Sequence, residues 1–393
     1  MTIKFIGDDF TATERVQTGL YSLDWALGDS VGNSGWPLRS FSEIYGDKNV
    51  GKCLAKGTKV LLHSGELINV EDIKVGDSLM GPDSYPRTVL SVSSGTEQMY
   101  WVRQSYGIDY RVNESHILSL KYAPKHLVRN GYKYGDTINI SVKDLLSMGK
   151  SFTSVYWKGW KVGIEFQDNK ELPIDPYFLG LWIGDGNTDN VGITSVDTEV
   201  IDFLSRYASG LGMYLHTHLI THSITSGHRG YSLGRDTLQG VMRAMGLLGN
   251  KHIPHAYIVN TRNVRMKVLA GIIDSDGHKL KHLVNTYEVT FKHRTLIEQL
   301  KFLCDSLGLR TSKIMTKMAK SQNGTKSIVY RIHFSGNLSD CPIKIPKKQW
   351  KYGVFTKNTV NYNLTSIKIE KDKIDSYYGF TLDGDGLFLP IRS

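Results

Sequence analysis

Residues Gly46-Asp47-Lys48-Asn49-Val50-Gly51-Lys52 follow the GxxxxGK pattern of a loop whose backbone N–H groups cradle phosphates and whose lysine reaches the outer phosphates. That pattern next requires a Ser or Thr, whose hydroxyl ligates Mg²⁺ as a helix opens, but Cys53 stands there. The following Cys53-Leu54-Ala55-Lys56-Gly57-Thr58-Lys59-Val60-Leu61-Leu62 holds a glycine and then an alternating apolar run, which predicts strand rather than helix. The loop is interrupted by inserted sequence. A second signal is repetition: Tyr177-Phe178-Leu179-Gly180-Leu181-Trp182-Ile183-Gly184-Asp185-Gly186 and Val268-Leu269-Ala270-Gly271-Ile272-Ile273-Asp274-Ser275-Asp276-Gly277 share one apolar pattern, about ninety residues apart, and each closes on Asp-Gly.

The elements around the loop say what is interrupted. Thr18-Gly19-Leu20-Tyr21-Ser22-Leu23-Asp24-Trp25-Ala26-Leu27-Gly28 and Ser42-Glu43-Ile44-Tyr45-Gly46 resemble the start of a RecA-family recombinase ATPase, over residues 1 to 52 only. The second acidic Mg²⁺ ligand and the long sheet of that family are not found downstream. The resemblance therefore makes Gly46, Gly51 and Lys52 an ATP site only in a spliced product.

From Cys53 onward the chain resembles an intein, a self-splicing Hint domain. Cys53 to Val60, Gly65-Glu66, Val70-Glu71-Asp72-Ile73 and Gly76-Asp77-Ser78-Leu79-Met80 match the first splicing block, and Tyr110-Arg111-Val112-Asn113-Glu114-Ser115-His116 resembles the TxxH block with Asn113 in the threonine position. A thiol attacks the carbonyl of the residue just before it without a long search, so Cys53 would convert the Lys52 amide to a thioester. That exchange is uphill, and the fold must strain or polarise the bond. The resemblance gives His116 the role of protonating the departing amide nitrogen, since imidazole titrates near neutral pH.

The repeated segments resemble the paired helices of a LAGLIDADG (DOD-type) homing endonuclease. Gly180, Gly184, Ala270 and Gly271 would let two helices approach at backbone distance, and the glycine after each aspartate suits a left-handed helix stop. Such packing would set Asp185 beside Asp276, and the resemblance implies that this pair would hold Mg²⁺ for phosphodiester hydrolysis of double-stranded DNA. Asp274 and Asp189 rank below them, Asp274 because it points away from the shared seam. Lys251-His252-Ile253-Pro254 resembles the family block whose lysine assists the site, which makes Lys251 either a transition-state cation or a solvated lysine before a turn.

Charge points the same way. Residues 1–52 hold five Lys/Arg against seven Asp/Glu, so of the formal +10 the insertion carries +12. Its excess, including Arg262, Arg265, Lys267, Lys292, Arg294, Arg310, Lys313, Lys317, Lys320, Lys326 and Arg331, gathers around the second repeat and its strands, as for a ribbon on DNA phosphates. Cys53 is one of three cysteines; no CxxC pair and no long apolar span occur, which suits a reducing cytoplasm and no membrane.

The expected architecture is multidomain α+β. It comprises a RecA-like fragment (1–52), an all-β Hint domain in two parts (53–160 and 355–393) and an inserted α+β endonuclease (170–350). Tyr377 to Leu389 resembles the sixth intein block, but the His-Asn pair and following nucleophile that such inteins carry are not present, so splicing would need a separate chain, or the chain is truncated. The expected active species is a monomer. An alternative is a recombinase precursor whose insertion binds DNA and catalyses nothing.

Overall fold

The computed structural model describes residues 53–149, 152–167, 170–227, 237–283, 285–320, 324, 326–351 and 361–391, with short backbone stretches before Cys53. The chain divides into two compact units, Met1–Lys52 and Cys53–Ser393. In the first, β1 (Thr2–Phe5) pairs with β4 (Ser42–Tyr45), and β2 (Arg15–Val16) with β3 (Trp36–Pro37). Gly46, Gly51 and the Lys52 side chain lie outside the described residues.

The second unit opens with strands, as the alternation after Cys53 predicts. They are β5 (Lys52–Ala55), β6 (Lys59–Leu61), β7 (Leu67–Asn69), β8 (Ser78–Met80), β9 (Pro86–Gln104), β10 (Tyr110–Asn113), β11 (Ile117–Tyr122) and β12 (Thr137–Ser141). In β11 every second side chain, Leu118, Leu120 and Tyr122, is buried, the period of a strand with one face on a core. The region is not purely β. Helix α1 (Val142–Ser147) follows β12 because the Ser141 hydroxyl accepts from the Asp144 N–H at 3.0 Å, and a π-helical turn at Phe152–Tyr156 precedes β13 (Trp157–Trp160).

The middle of the unit mixes helices and strands. Helix α2 (Pro176–Asp185) leads to β14 (Ile193–Thr194), α3 (Thr198–Gly210), β15 (Tyr214–His218), β16 (Thr221–Thr225) and α4 (Leu238–Ala244). Then come α5 (His255–Ile258), α6 (Arg262–Asp274), β17 (His278–Lys279), β18 (Thr286–Phe291), α7 (Arg294–Ser306), β19 (Arg310–Thr311), β20 (Met315–Lys320) and β21 (Lys326–Ser335). Asp175 caps α2 by accepting from the Tyr177 and Phe178 N–H groups, with Pro176 at the first helical position. In α7, Leu296, Ile297, Leu300, Leu303 and Cys304 are buried, the stripe of an amphipathic helix. Two antiparallel sheets, ordered β14-β16-β15 and β17-β18-β21-β19, accompany the helices, and β20 forms a hairpin with β21.

Helices α2 and α6 meet at backbone distance. A Cβ on Gly180 would overlap the Val268 carbonyl oxygen, one on Gly271 would overlap the Tyr177 carbonyl oxygen, and one on Gly184 would overlap the Ser275 hydroxyl. The glycines after the aspartates behave otherwise than the sequence suggests. Gly186 is extended, at φ −76°, and Gly277 is not left-handed. Each is required because a Cβ would strike the last turn of its own helix, at Trp182 and Ile273 respectively.

The chain then returns to the first sheets through β22 (Leu364–Thr365), β23 (Ile367–Leu382) and β24 (Pro390–Ile391). β22 pairs with β13 and β23 lies along β9, giving a sheet ordered β10-β5-β23-β9-β8. Pro390 takes part in a two-residue pairing at the edge of β6, where a missing N–H is tolerated. Arg265 joins the β-rich and mixed regions. Fully buried, it donates to the carbonyls of Asn260 (3.0 Å) and Ile164 (2.5 Å) and to Ser306 Oγ (2.8 Å), over the Phe166 ring.

The seam sets a steep penalty on side chains. Gly271→Val should destabilise the unit by about 3 kcal/mol or more, because the group it meets is backbone and cannot move aside. Thermal unfolding measures this, and a variant as stable as the parent would contradict the close approach.

Candidate active sites

Two separate centres emerge. At the first, β5 lies between β10 and β23 in one sheet. The antiparallel register Val112↔Leu54 sets Asn113 across from Cys53. Cys53 is buried and in no disulfide. Burial and the nearby Glu97 carboxylate push its thiol up to about 11, while a hydrogen bond with the Asn113 side chain works the other way. The thiol is therefore protonated at neutral pH and must lose its proton during attack. Asn113 Nδ2 donates to Glu97 Oε2 at 2.8 Å. His116 is buried at the turn into β11, its N–H bonded to the Asn113 carbonyl (3.2 Å) and its carbonyl accepting from Val142 (2.8 Å). Sequence reading missed Glu97: it stands in an exposed stretch of β9 and only strand pairing brings it to Asn113.

At the second centre the α2–α6 seam brings together the ends of both repeats. Asp185 closes α2, and Asp276 follows the last residue of α6 by two. Both carboxyls lie above their ordinary range, first through desolvation; Asp185 pushes Asp276 further, to about 6.

Two lysines frame them. Lys251 Nζ donates to the carbonyls of Ile183 (3.1 Å), Gly184 (3.1 Å) and Gly186 (2.6 Å), satisfying acceptors that a helix end leaves open. Lys348 Nζ does the same at the other helix, to Ile273 (2.9 Å), Asp274 (2.9 Å) and Ser275 (2.8 Å). Burial lowers both ammonium groups, and nearby carboxylates oppose the shift: Asp276 and Asp185 for Lys251, and Asp274 and Asp185 among those for Lys348. Lys348 was not singled out in the sequence. Lys344-Ile345-Pro346 echoes Lys251-His252-Ile253-Pro254, but the capping lysine lies beyond that proline, in a run of like residues.

The remaining candidates separate. Asp274 does not point away from the seam as its place in the repeat suggests: it is buried and accepts from Tyr177 Oη of α2 (2.6 Å), across the seam, and from the N–H groups of Lys344 (2.7 Å) and Ile345 (3.2 Å), so its oxygens are taken up in tying α6 to its surroundings. Asp189 is exposed. Of the basic cluster, Arg265 is interior, and Arg310 donates to the carbonyls of Asn361 and Leu364 and stacks on Tyr106; neither serves as a phosphate contact. Arg262 pairs with Asp340, and Arg331 with Glu288. Lys317, Lys320 and Lys326 are exposed on the β20–β21 hairpin.

Residues 53–156 match the Hom_end-associated Hint family, and residues 252–348 match the Homing endonuclease family. The chain carries a Hint domain and a homing endonuclease domain. This combination is that of an endonuclease-bearing intein. The Hint match includes Cys53, Glu97, Asn113 and His116; the endonuclease match includes Asp276 and Lys348 and begins just after Lys251.

Over 167 residues the chain is 32% identical to the replicative DNA helicase DnaB of Mycobacterium intracellulare, a match that covers 42% of this chain and 24% of that protein. Over 206 residues it is 28% identical to the catalytic polypeptide of the V-type proton ATPase of Candida tropicalis, covering 46% and 19%. The chain thus spans about a quarter or less of the length of these curated relatives. Among solved structures it is similar to the AceL NrdHF class 3 split intein (19% identity, 24% of this chain and 56% of that one, TM-score 0.19) and the gp41-1 intein (17%, 23% and 80%, 0.16). No helix among the described residues is long and apolar enough to cross a membrane.

A carboxyl raised in the folded state binds its proton more tightly there than in the unfolded chain, so its stabilising contribution is complete below the unfolded value and is lost as pH climbs through the folded one. Without divalent cations, stability should fall between about pH 4 and the Asp276 value of about 6. Asp276→Asn should reduce that decline, leaving the part that comes from the desolvated Asp185 and Asp274. Because solvent still reaches Asp276, screening limits the gain at pH 7 to roughly 1 kcal/mol. Melting curves across this range, in chelator, check the sign; an equal decline in both proteins would contradict it.

Proposed function

We propose that the endonuclease domain is of the LAGLIDADG (DOD) type and hydrolyses double-stranded DNA at the Asp185–Asp276 pair. The observation that carries this reading is the backbone-tight α2–α6 seam, which ends in two electrostatically coupled carboxyl groups. Two hard oxygen donors whose mutual repulsion a cation would relieve fit Mg²⁺, and Asp185 and Asp276 are the residues that would hold it. Bound there, the metal would lower the pKa of water and offset charge on the leaving oxygen. Lys251 and Lys348 cap the helices that present these carboxylates and keep positive charge beside them. The exposed lysines of the β20–β21 hairpin supply phosphate contacts on the DNA.

In the same reading, the Hint domain interrupts the phosphate loop of a RecA-like recombinase, and Cys53 exchanges the Lys52 amide for a thioester. Asn113 orients the thiol, and His116 protonates the departing nitrogen. Splicing would return Gly46, Gly51 and Lys52 to an ATP-binding loop.

Each half has its own test. Plasmid carrying an uninterrupted recombinase gene should be linearised with Mg²⁺, and Asp185→Asn or Asp276→Asn should slow this by on the order of a thousandfold. Equal rates in the variants would exclude the paired carboxylates. Hydroxylamine should release a fragment ending at Lys52 from the parent and none from Cys53→Ala; equal release would remove the thioester.

A further inference from the structure

The Cys53 centre holds a carboxylate that the splicing roles above do not use. Glu97 sits on β9, exposed to solvent, yet its Oε2 takes the Asn113 Nδ2 hydrogen bond at 2.8 Å, and Asn113 stands across from Cys53. On the other side of β5 runs β23, whose Tyr377 pairs with Gly95 and lies so close that a Cβ on Gly95 would sit 2.7 Å from the Tyr377 hydroxyl. Glu97 and Cys53 both act on the Tyr377 phenol, which places all three in one electrostatic neighbourhood. Asn113 Oδ1 is buried and accepts no hydrogen bond from a side chain or backbone group among the described residues. The centre thus presents a negative charge and an open acceptor beside the residue whose backbone nitrogen is to be released.

A carboxylate in this place is unhelpful to a thiolate. Its charge opposes ionisation of the Cys53 thiol, as does burial. It suits a cation. Resting on the thioester reading, we propose that Glu97 is a positioning residue that holds the α-ammonium group Cys53 acquires when its amide bond to Lys52 becomes a thioester. In that exchange the Sγ–H bond breaks and Sγ bonds to the Lys52 carbonyl carbon. The carbon–nitrogen bond breaks, His116 gives the nitrogen a proton, and the thiol proton replaces it on the imidazole. A second proton, from solvent, makes the ammonium. An α-amine ordinarily titrates near 7.7–8.0, so a neighbouring carboxylate moves it further toward the charged form at neutral pH. An ammonium has no lone pair with which to attack the thioester, so the reverse shift is suppressed. Asn113 Oδ1 accepts one of its N–H groups.

Glu97→Gln isolates the charge, because a glutamine oxygen keeps the acceptor for Asn113 and the side chain is exposed. In the full chain, hydroxylamine at neutral pH should capture about fivefold less Lys52-terminated fragment from the variant than from the parent. Iodoacetamide should meanwhile alkylate Cys53 faster in the variant at each pH below the thiol's own value, followed by mass spectrometry of the Cys53 peptide. A structural role alone would not move the two readouts in opposite directions. Equal or greater fragment from Glu97→Gln, or unchanged alkylation, overturns the proposal while leaving the thioester intact. No fragment from the parent sinks the thioester reading and this inference together.

Discussion

The contact on which the nuclease part depends is the one between Gly180 and Gly271, where two helix backbones touch with no side chain between them. Separation by even a methyl group would move the helix ends apart, and with them Asp185 and Asp276. Such a contact gives little apolar area by itself. It is held by what surrounds it: Leu179, Leu181, Trp182, Val268, Leu269 and Ile272 are all buried in one continuous core with the flanking sheets. Tyr177 adds a hydrogen bond across the seam to Asp274, which helps fix how the two helices lie together. Close packing makes the helix ends rigid, and rigidity keeps two like charges in proximity that flexible chains would relax away.

The Hint part solves a different problem with different means. Its buried Cys53 lies next to groups drawn from distant sequence, and strand pairing does this. β5 brings Cys53, β10 brings Asn113, and β23, some three hundred residues further along, closes the other side. The long ribbon of β9 with β23 binds the two stretches of the β-rich region that lie before and after the mixed region. A core of Leu54, Val60, Val89, Val102, Val112, Leu118 and Phe380 draws on both parts. The β-rich region is closed by residues from both sides of the mixed region.

The two regions are also joined. Arg265 is deep enough for burial to pull its guanidinium down to about 10, but three acceptors meet its N–H groups. One of those acceptors, the Ile164 carbonyl, belongs to the segment leading from the β-rich region into the endonuclease. Lys161 and Lys301 both reach Asp305 at the same junction. Contacts of this kind are directional, so they define how the mixed region sits on the β-rich one beyond what apolar burial specifies.

Much of this was legible in the residues. Strand alternation in Ile117–Tyr122, the apolar stripe of Arg294–Ser306 and the small residues of the two repeats each follow from local periodicity, which a chain carries in its own order. The same local logic misled where contact rather than dihedral angle was the constraint: Gly186 and Gly277 avoid their own helices instead of turning left-handed. It misled again at Arg265 and Arg310, since a sequence shows charge but not the pocket of acceptors that takes a charge inside. Glu97 and Lys348 had no local signature, one lying on an exposed strand and the other in a lysine run. The sequence by itself determined the strand period of Ile117–Tyr122, the apolar stripe of Arg294–Ser306, the cysteine after the lysine and the Asp-Gly that closes each repeat. Tertiary structure decided which charges face each other and which backbone ends each lysine caps, because those depend on distances across strands and helices that no spacing along the chain encodes.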